Sequence, residues 1–132
     1  MAPPIAAGKH CAGGFTLIEL LVVMAILGTL LAIAVPRYFH SLEHSRETVL
    51  RHDLSVLRES IDKYAADKGH YPAALTDLVT GRYVRSLPVD PYTHSAAAWI
   101  VVASDDPDDP GIKDVHSGAP GNARDGTPYA TW

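Results

Sequence analysis

One short motif in this chain has the spacing of a metal-dependent active site. His40, Glu43 and His44 form the pattern H-x-x-E-H, in which two histidines on one helical face hold zinc and the glutamate acts as general base. That chemistry also needs a third protein ligand and a cleft for the substrate. No nucleophile constellation, glycine-rich phosphate loop or cysteine pair accompanies the motif, so we expect the protein not to be an enzyme.

A second candidate is a single carboxylate within an apolar stretch. Glu19 is the one charged residue between Phe15 and Val35. A carboxylate at the centre of a membrane helix costs about 2.5–3.5 kcal/mol, less near the ends, and usually marks a function or a partner. Glu19 therefore either reaches the headgroup layer near the start of the segment or contacts a partner.

The third candidate is the acidic C-terminal part of the chain. Residues 90–132 contain 7 Asp+Glu against 2 Lys+Arg, and four of these acids lie in the proline-broken stretch 105–110. Oxygen-rich loops suit calcium, which takes about 6–8 oxygen ligands. A solvated acidic loop that keeps the surface soluble is the alternative.

The composition shows which elements must position these residues. The chain has 132 residues and a formal net charge of −4, which removes the basic signature of most nucleic-acid binders. The 21 residues from Phe15 to Val35 would form a helix of about 31 Å, which matches a hydrocarbon core of roughly 30 Å. The apolar region of a signal peptide is shorter, about 7–15 residues. We therefore predict one membrane-spanning helix.

The residues that follow have helical periodicity. One apolar stripe has the spacing i, i+4, i+7, i+11, i+14, and the neighbouring Glu43, Glu47 and Arg51 have the pattern of a solvated face. The helix is predicted to end near Lys68, with Gly69 as its C-terminal cap. The stripe consists of Leu50, Leu54, Leu57, Ile61 and Tyr64.

The remaining segments predict a small mixed domain. Residues 70–79 favour a short helix ended by Gly81, and the prolines of residues 83–92 indicate a loop. Residues 98–103 predict a strand, and residues 111–117 and 127–132 are candidates for further strands. The expected fold is α+β, with a long N-terminal helix packed on a small antiparallel β-sheet.

The segment Gly14-Phe15-Thr16-Leu17-Ile18-Glu19-Leu20 resembles the N-terminal signature of type IV pilin-like proteins. Gly-x-Tyr-Pro from Gly69, Leu-x-Asp-Leu-Val from Leu75 and Leu-Pro-x-Asp-Pro from Leu87 resemble the major pseudopilins of type II secretion systems. This resemblance implies a pilin-like fold. It also implies a leader peptide over residues 1–14, a transmembrane helix over 15–36, an amphipathic continuation over 37–69 and a periplasmic globular region over 70–132.

The resemblance also implies roles for individual residues. A prepilin peptidase would cut between Gly14 and Phe15 and methylate the new amine of Phe15. Glu19 would pair with that amine on a neighbouring subunit and so direct assembly, and Pro36 lies where the family carries a helix-kinking proline. Cys11, the one cysteine, would leave with the leader.

The implied function is that of a subunit of a periplasmic pseudopilus that drives the export of folded proteins. Its implied partners are other copies of the chain, minor pseudopilins, the peptidase, an inner-membrane assembly platform, secreted proteins and a secretin, with no nucleic acid. The chain would be a single-pass protein of the bacterial inner membrane. The alternative is a type IV pilin or a minor pilin-like subunit of a surface fibre for adhesion, motility or DNA uptake.

The resemblance further implies a calcium site in the C-terminal loops. Pro120 stands where the family pattern has an aspartate ligand, so a site in this chain would have to be rearranged. Its predicted ligands are Asp114, Ser117, Asn122 and Asp125.

Overall fold

The computed structural model describes residues 13–132, and this part of the chain contains two α-helices, two β-strands and one short 3-10 helix. It divides into two compact units, one that ends at His40 and one that comprises Ser41–Trp132. The elements are α1 (Leu17–Lys68), α2 (Leu75–Thr80), β1 (Ile100–Ala103), β2 (Ile112–His116) and the 3-10 helix Tyr129–Thr131.

Helix α1 ends where the sequence predicts. Gly69 has a φ of 76°, and its amide donates to the Ala65 carbonyl at 2.9 Å. Glycine adopts this left-handed conformation without the penalty that a Cβ brings, and the helix stops there. Pro36 ends the apolar run but lies inside the helix.

The apolar stripe of α1 forms the core of the Ser41–Trp132 unit. Leu50, Leu57 and Ile61 are fully buried, as the periodicity predicts, and Tyr64 is half-buried at the edge. Burial of each aliphatic side chain is worth about 1.5–3 kcal/mol, so the stripe contributes substantially to the stability of this unit. Its partners in the core include Leu78, Trp99, Ile112, Val115 and Tyr129.

Strands β1 and β2 form an antiparallel two-stranded sheet. Val101 lies opposite Val115, and the register shifts between Val102 and Ala103. Val115 is fully buried in the core, whereas β1 is mostly exposed. The predicted α+β fold, with the long helix packed on a small antiparallel sheet, is confirmed.

Helix α2 is shorter than the segment 70–79 that the sequence favours. A residue before proline is pushed toward extended backbone, which disfavours helix at Tyr71. Ala74 is still extended, with φ −144° and ψ 155°, and the helix begins only at Leu75. The Asp77 carboxylate accepts a hydrogen bond from the Ala74 amide at 2.9 Å. Gly81 caps the other end, as predicted.

The C-terminal residues correct another prediction, because residues 127–132 form no strand. Pro128 has no N–H to donate to a sheet, and it makes only an isolated bridge with Asn122. The amides of Thr131 and Trp132 turn back to the carbonyls of Pro128 and Tyr129, which closes a 3-10 turn instead.

Candidate functional site

The predicted cleavage site lies in a segment without regular secondary structure. Gly14 and Phe15 precede the start of α1 at Leu17, and Phe15 is 86% exposed. A Cβ built on Gly14 would meet no atom within 4 Å, so packing in the described residues does not require glycine there. The rest of the predicted leader, with Cys11, lies outside the described residues.

Thr16 begins helix α1 by capping it. Its hydroxyl accepts a hydrogen bond from the Glu19 amide at 3.2 Å, and its carbonyl accepts one from the Leu20 amide at 3.2 Å. Threonine followed three residues later by glutamate is the spacing of a capping box, a signal that the sequence analysis missed. The helix therefore begins two residues after the predicted cleavage site.

The carboxylate of Glu19 is exposed on an apolar helix. Within residues 13–132, no cationic side chain lies within ion-pair distance of it. A negative charge in the first turn of a helix is favoured by the helix dipole. A hydrocarbon environment would nevertheless leave this charge without a counter-ion.

The N-terminal part of α1 is apolar on all sides. It is long and apolar enough to cross a membrane, and none of its most apolar window is buried in the protein. Side chains all around the helix are at least 43% exposed, including Leu17, Val23, Met24, Leu31 and Ile33. A surface of this kind needs lipid or other apolar helices around it.

The four predicted calcium ligands each have a different environment. The guanidinium of Arg58 contacts Asp114, the hydroxyl of Ser117 donates to a buried aspartate, and Asp125 accepts hydrogen bonds from Thr127. Asn122 is exposed and lies beside Pro128. Within residues 13–132, no three His, Cys, Asp or Glu side chains lie close enough together to hold a metal ion.

The environments of the two carboxylates favour their charged forms. Burial tends to raise the pKa of Asp114, but the Val115 amide and the Arg58 guanidinium bring this pKa below its ordinary value. Hydrogen bonds from Thr127 and the nearby charge of Arg51 lower the pKa of Asp125. Because protein groups already compensate both charges, the four side chains as placed do not fit a calcium site. Calcium binding stays a prediction.

The H-x-x-E-H motif does not build a catalytic centre. The hydroxyl of Tyr92 donates to Glu43 Oε1 at 2.8 Å, so the carboxylate that would act as base is engaged by a phenol. His44 is exposed, and no third ligand joins it in the described part of the chain.

A cluster of two glutamates and two tyrosines on α1 and the loops was not predicted. The hydroxyl of Tyr129 contacts Tyr92 at 2.8 Å and both Glu43 and Glu47 at 3.3 Å. Glu47 is only 8% exposed and also accepts the Arg124 amide at 2.7 Å, so the prediction of a solvated face is wrong there. The i, i+4 spacing of Glu43 and Glu47 places both carboxylates on one face of the helix, and this spacing is the feature of the sequence that indicates the cluster.

The geometry defines a class of protein: a single long helix, apolar at its start with one carboxylate, that carries a small α+β head. In agreement, the family model described as the prokaryotic N-terminal methylation motif matches residues 9–35. The type II secretion system core protein G of Pseudomonas aeruginosa is 35% identical over 95 residues, which covers 60% of this chain and 67% of the relative. The core protein G of Klebsiella pneumoniae is 34% identical over 95 residues, with 60% and 68% covered.

The chain therefore belongs to the family of the type II secretion system core protein G, the major pseudopilins. The fimbrial protein EcpC of Eikenella corrodens is also similar, at 36% identity over 86 residues, which covers 61% of this chain and 56% of that protein. No solved structure matches the chain.

Proposed function

We propose that this chain is a structural subunit of a periplasmic pseudopilus and that it becomes competent for assembly after cleavage between Gly14 and Phe15. Phe15 is then methylated, and the fibre drives the export of folded proteins through a type II secretion system. Membership in the core protein G family supports the fibre, and the exposed Gly14-Phe15 segment supports the processing step.

The observation that carries the proposal is the Glu19 carboxylate, which is exposed on an apolar helix with no cation beside it in residues 13–132. Cleavage creates a positive amine on Phe15, four residues before Glu19 and so about one helical turn away. A second subunit, staggered along the fibre, would bring its own amine to this carboxylate. Each pair formed in an apolar environment would then favour the addition of the next subunit in register.

The proposed topology follows from the same features. Residues 1–14 are the leader, residues 15–36 cross the inner membrane, residues 37–69 continue the helix and residues 70–132 form the periplasmic globular region. The apolar, exposed side chains at the start of α1 support the membrane segment. Pro36 marks the boundary of the apolar run, where a helix-bending residue would help the helices to pack.

The proposed partners are those of a fibre subunit. They comprise other copies of the chain, minor pseudopilins, a prepilin peptidase and methyltransferase, the inner-membrane platform, the secretin and the secreted proteins. We propose no enzymatic activity for the chain itself. The engagement of Glu43 by Tyr92 supports this, because it removes the base from the H-x-x-E-H motif.

A second candidate function is a pilin or minor pilin-like subunit of a surface fibre. The similarity to the fimbrial protein EcpC favours it. The two functions differ in their consequence for the cell. Deletion of the gene would leave folded exoproteins in the periplasm if the chain is a pseudopilin. If the chain is a pilin, deletion would remove a surface fibre and leave secretion intact.

The Glu19→Ala variant tests the assembly step. The variant should still be inserted and cleaved, but loss of the paired charge should weaken subunit addition by more than about 100-fold, since breaking a buried pair costs about 3–5 kcal/mol. Chemical cross-linking of subunits in intact cells and exoprotein release measure the outcome. Glu59→Ala is the matched control, because Glu59 is exposed on the same helix and, among the described residues, pairs only with Lys63. A Glu19→Ala chain that polymerises like the control would refute the proposal.

A further inference from the structure

Two arginines of α1 hold the carboxylates that the resemblance implies as calcium ligands. Arg58 Nε lies 2.7 Å from Asp114 Oδ1, and Arg58 Nη2 donates to the carbonyl of Val115 at 2.9 Å. Both side chains of the pair are a little over one third exposed, so the contact is partly shielded from water. A forked guanidinium that bonds two acceptors fixes strand β2 against the helix.

Arg51 makes the corresponding contact with the last loop. Its Nη2 lies 3.6 Å from Asp125 Oδ2, and its guanidinium carbon lies 3.8 Å from the centroid of the Trp132 ring. The indole of Trp132 in turn donates to the hydroxyl of Thr127 at 2.9 Å. One cation therefore holds both a carboxylate and an aromatic ring of the C-terminal segment.

A third predicted ligand, Ser117, also has its hydrogen bonds satisfied within the protein. Ser117 is fully buried, its hydroxyl donates to Asp90 Oδ2 at 3.1 Å, and the same oxygen accepts the Ala119 amide at 3.0 Å. The Glu47 carboxylate anchors the loop further along by accepting the amide of Arg124. Polar groups of α1 thus contact the C-terminal segment at Asp114, at Asp125 and at the amide of Arg124.

From these contacts we infer that Arg51 and Arg58 take the place of a divalent cation, so that the C-terminal loops of this protein fold without calcium. The two guanidinium charges balance the two carboxylate charges, as one divalent ion would. Binding of calcium through Asp114 and Asp125 would require both arginines to move away from these carboxylates. The carbonyl of Val115 and the ring of Trp132 would then lose their contacts with the arginines. Pro120, which stands in place of the expected aspartate, agrees with the loss of the ion. The inference rests on the geometry of the head and not on the filament function.

The test is thermal unfolding of the full chain in detergent, followed by the fluorescence of Trp99 and Trp132. The wild-type Tm should be the same with a calcium chelator and with a millimolar excess of calcium. Arg58→Gln should lower the Tm by about 4–8 °C, the shift expected when one hydrogen-bonded contact is lost from a domain of this size. Arg51→Gln should lower the Tm by a smaller amount, about 2–4 °C, because Arg51 and Asp125 are both more than half exposed and 3.6 Å apart. Each decrease should be the same with the chelator and with calcium.

Lys63→Gln is the matched control, because Lys63 lies on the same helix and pairs with Glu59 away from the C-terminal loops. It should leave the Tm nearly unchanged. Titration with calcium, read by calorimetry, gives a second measurement that does not depend on the variants. A wild-type Tm that rises with calcium, or saturable binding of one ion per chain, would overturn the inference. So would arginine variants that behave like the Lys63→Gln control.

Discussion

Asp90 organises the loops of the head from a fully buried position. Its Oδ1 accepts the amides of Tyr92 and Thr93 at 2.7 and 3.1 Å, and its Oδ2 accepts the Ser117 hydroxyl. A buried carboxylate is tolerated only where hydrogen bonds replace its hydration, and here backbone and hydroxyl donors from two loops do so. Asp90 therefore joins the proline-rich loop to the end of strand β2.

Replacement of Asp90 with alanine should destabilise the head by about 2–4 kcal/mol, because three donors lose their acceptor and a cavity remains. Chemical denaturation followed by tryptophan fluorescence measures the change. Asp67→Ala is the control, since the Asp67 carboxylate is exposed and, within residues 13–132, accepts only the Tyr83 hydroxyl. Equal losses in the two variants would mean that Asp90 does not organise the loops.

The environment of Tyr92 should make the stability of the head depend on pH in the alkaline range. Burial, followed by the hydrogen bonds with Tyr129 and Glu43, raises the pKa of Tyr92 far above its ordinary value of 10.0. A group whose pKa is raised on folding stabilises the protein fully below the pKa of the unfolded chain. The contribution is lost as the pH rises above that value, so the free energy of unfolding should fall above about pH 10.

The Tyr92→Phe variant should show a less steep loss of stability above pH 10 than the wild type. It should also be less stable at neutral pH by about 1 kcal/mol, since the hydrogen bond to Glu43 is gone. Denaturation series between pH 7 and 11 measure both effects. Tyr71→Phe is the control, because only backbone atoms of Tyr71 make hydrogen bonds in the described part of the chain. A parallel decline in wild type and Tyr92→Phe would contradict the assigned role.

At the scale of elements, the part of α1 beyond residue 41 forms one wall of the head core. Leu57 is fully buried, whereas Val49 on the same helix is 46% exposed. Leu57→Ala should therefore cost about 2–5 kcal/mol of unfolding free energy, and Val49→Ala less than about 1 kcal/mol. Denaturant titration of both variants checks the assignment of the stripe. Similar costs at the two positions would mean that the core lies elsewhere.

The elements differ in how far the sequence predicts them. The stripe of α1, its Gly69 cap and both strands follow from periodicity and from local residue preferences, and the structure agrees. The 3-10 turn at Tyr129 was not predictable in the same way. It is closed by two hydrogen bonds between residues three apart, and the Tyr129 amide donates to the carbonyl of Gly121, eight residues earlier. A turn this short leaves no periodic signal in the sequence.

The same limit applies to the residues of the candidate site. The Gly14-Phe15 junction and Glu19 are recognisable from the sequence because their motif is local. Glu47 and Arg51 were assigned to a solvated face, since the stripe shows only which side of the helix is apolar. Their actual partners, the Arg124 amide and the Trp132 ring, lie more than 75 residues away along the chain.

The whole molecule combines two dissimilar parts. The apolar start of α1 carries one carboxylate and needs lipid or neighbouring helices, whereas the head has its own core and an acidic surface. This division suits a subunit that is stored in a membrane and then polymerises through its helix.

Intact mass together with N-terminal sequencing tests whether the functional protein begins at Phe15 with a methylated amine. The chain should be purified from the membranes of its own organism, with a strain lacking the prepilin peptidase as the control. We expect a mature chain that starts at Phe15 and carries one added methyl group, and an uncut chain in the control strain. A mature chain that begins at any other residue, or that is cut equally without the peptidase, would contradict it.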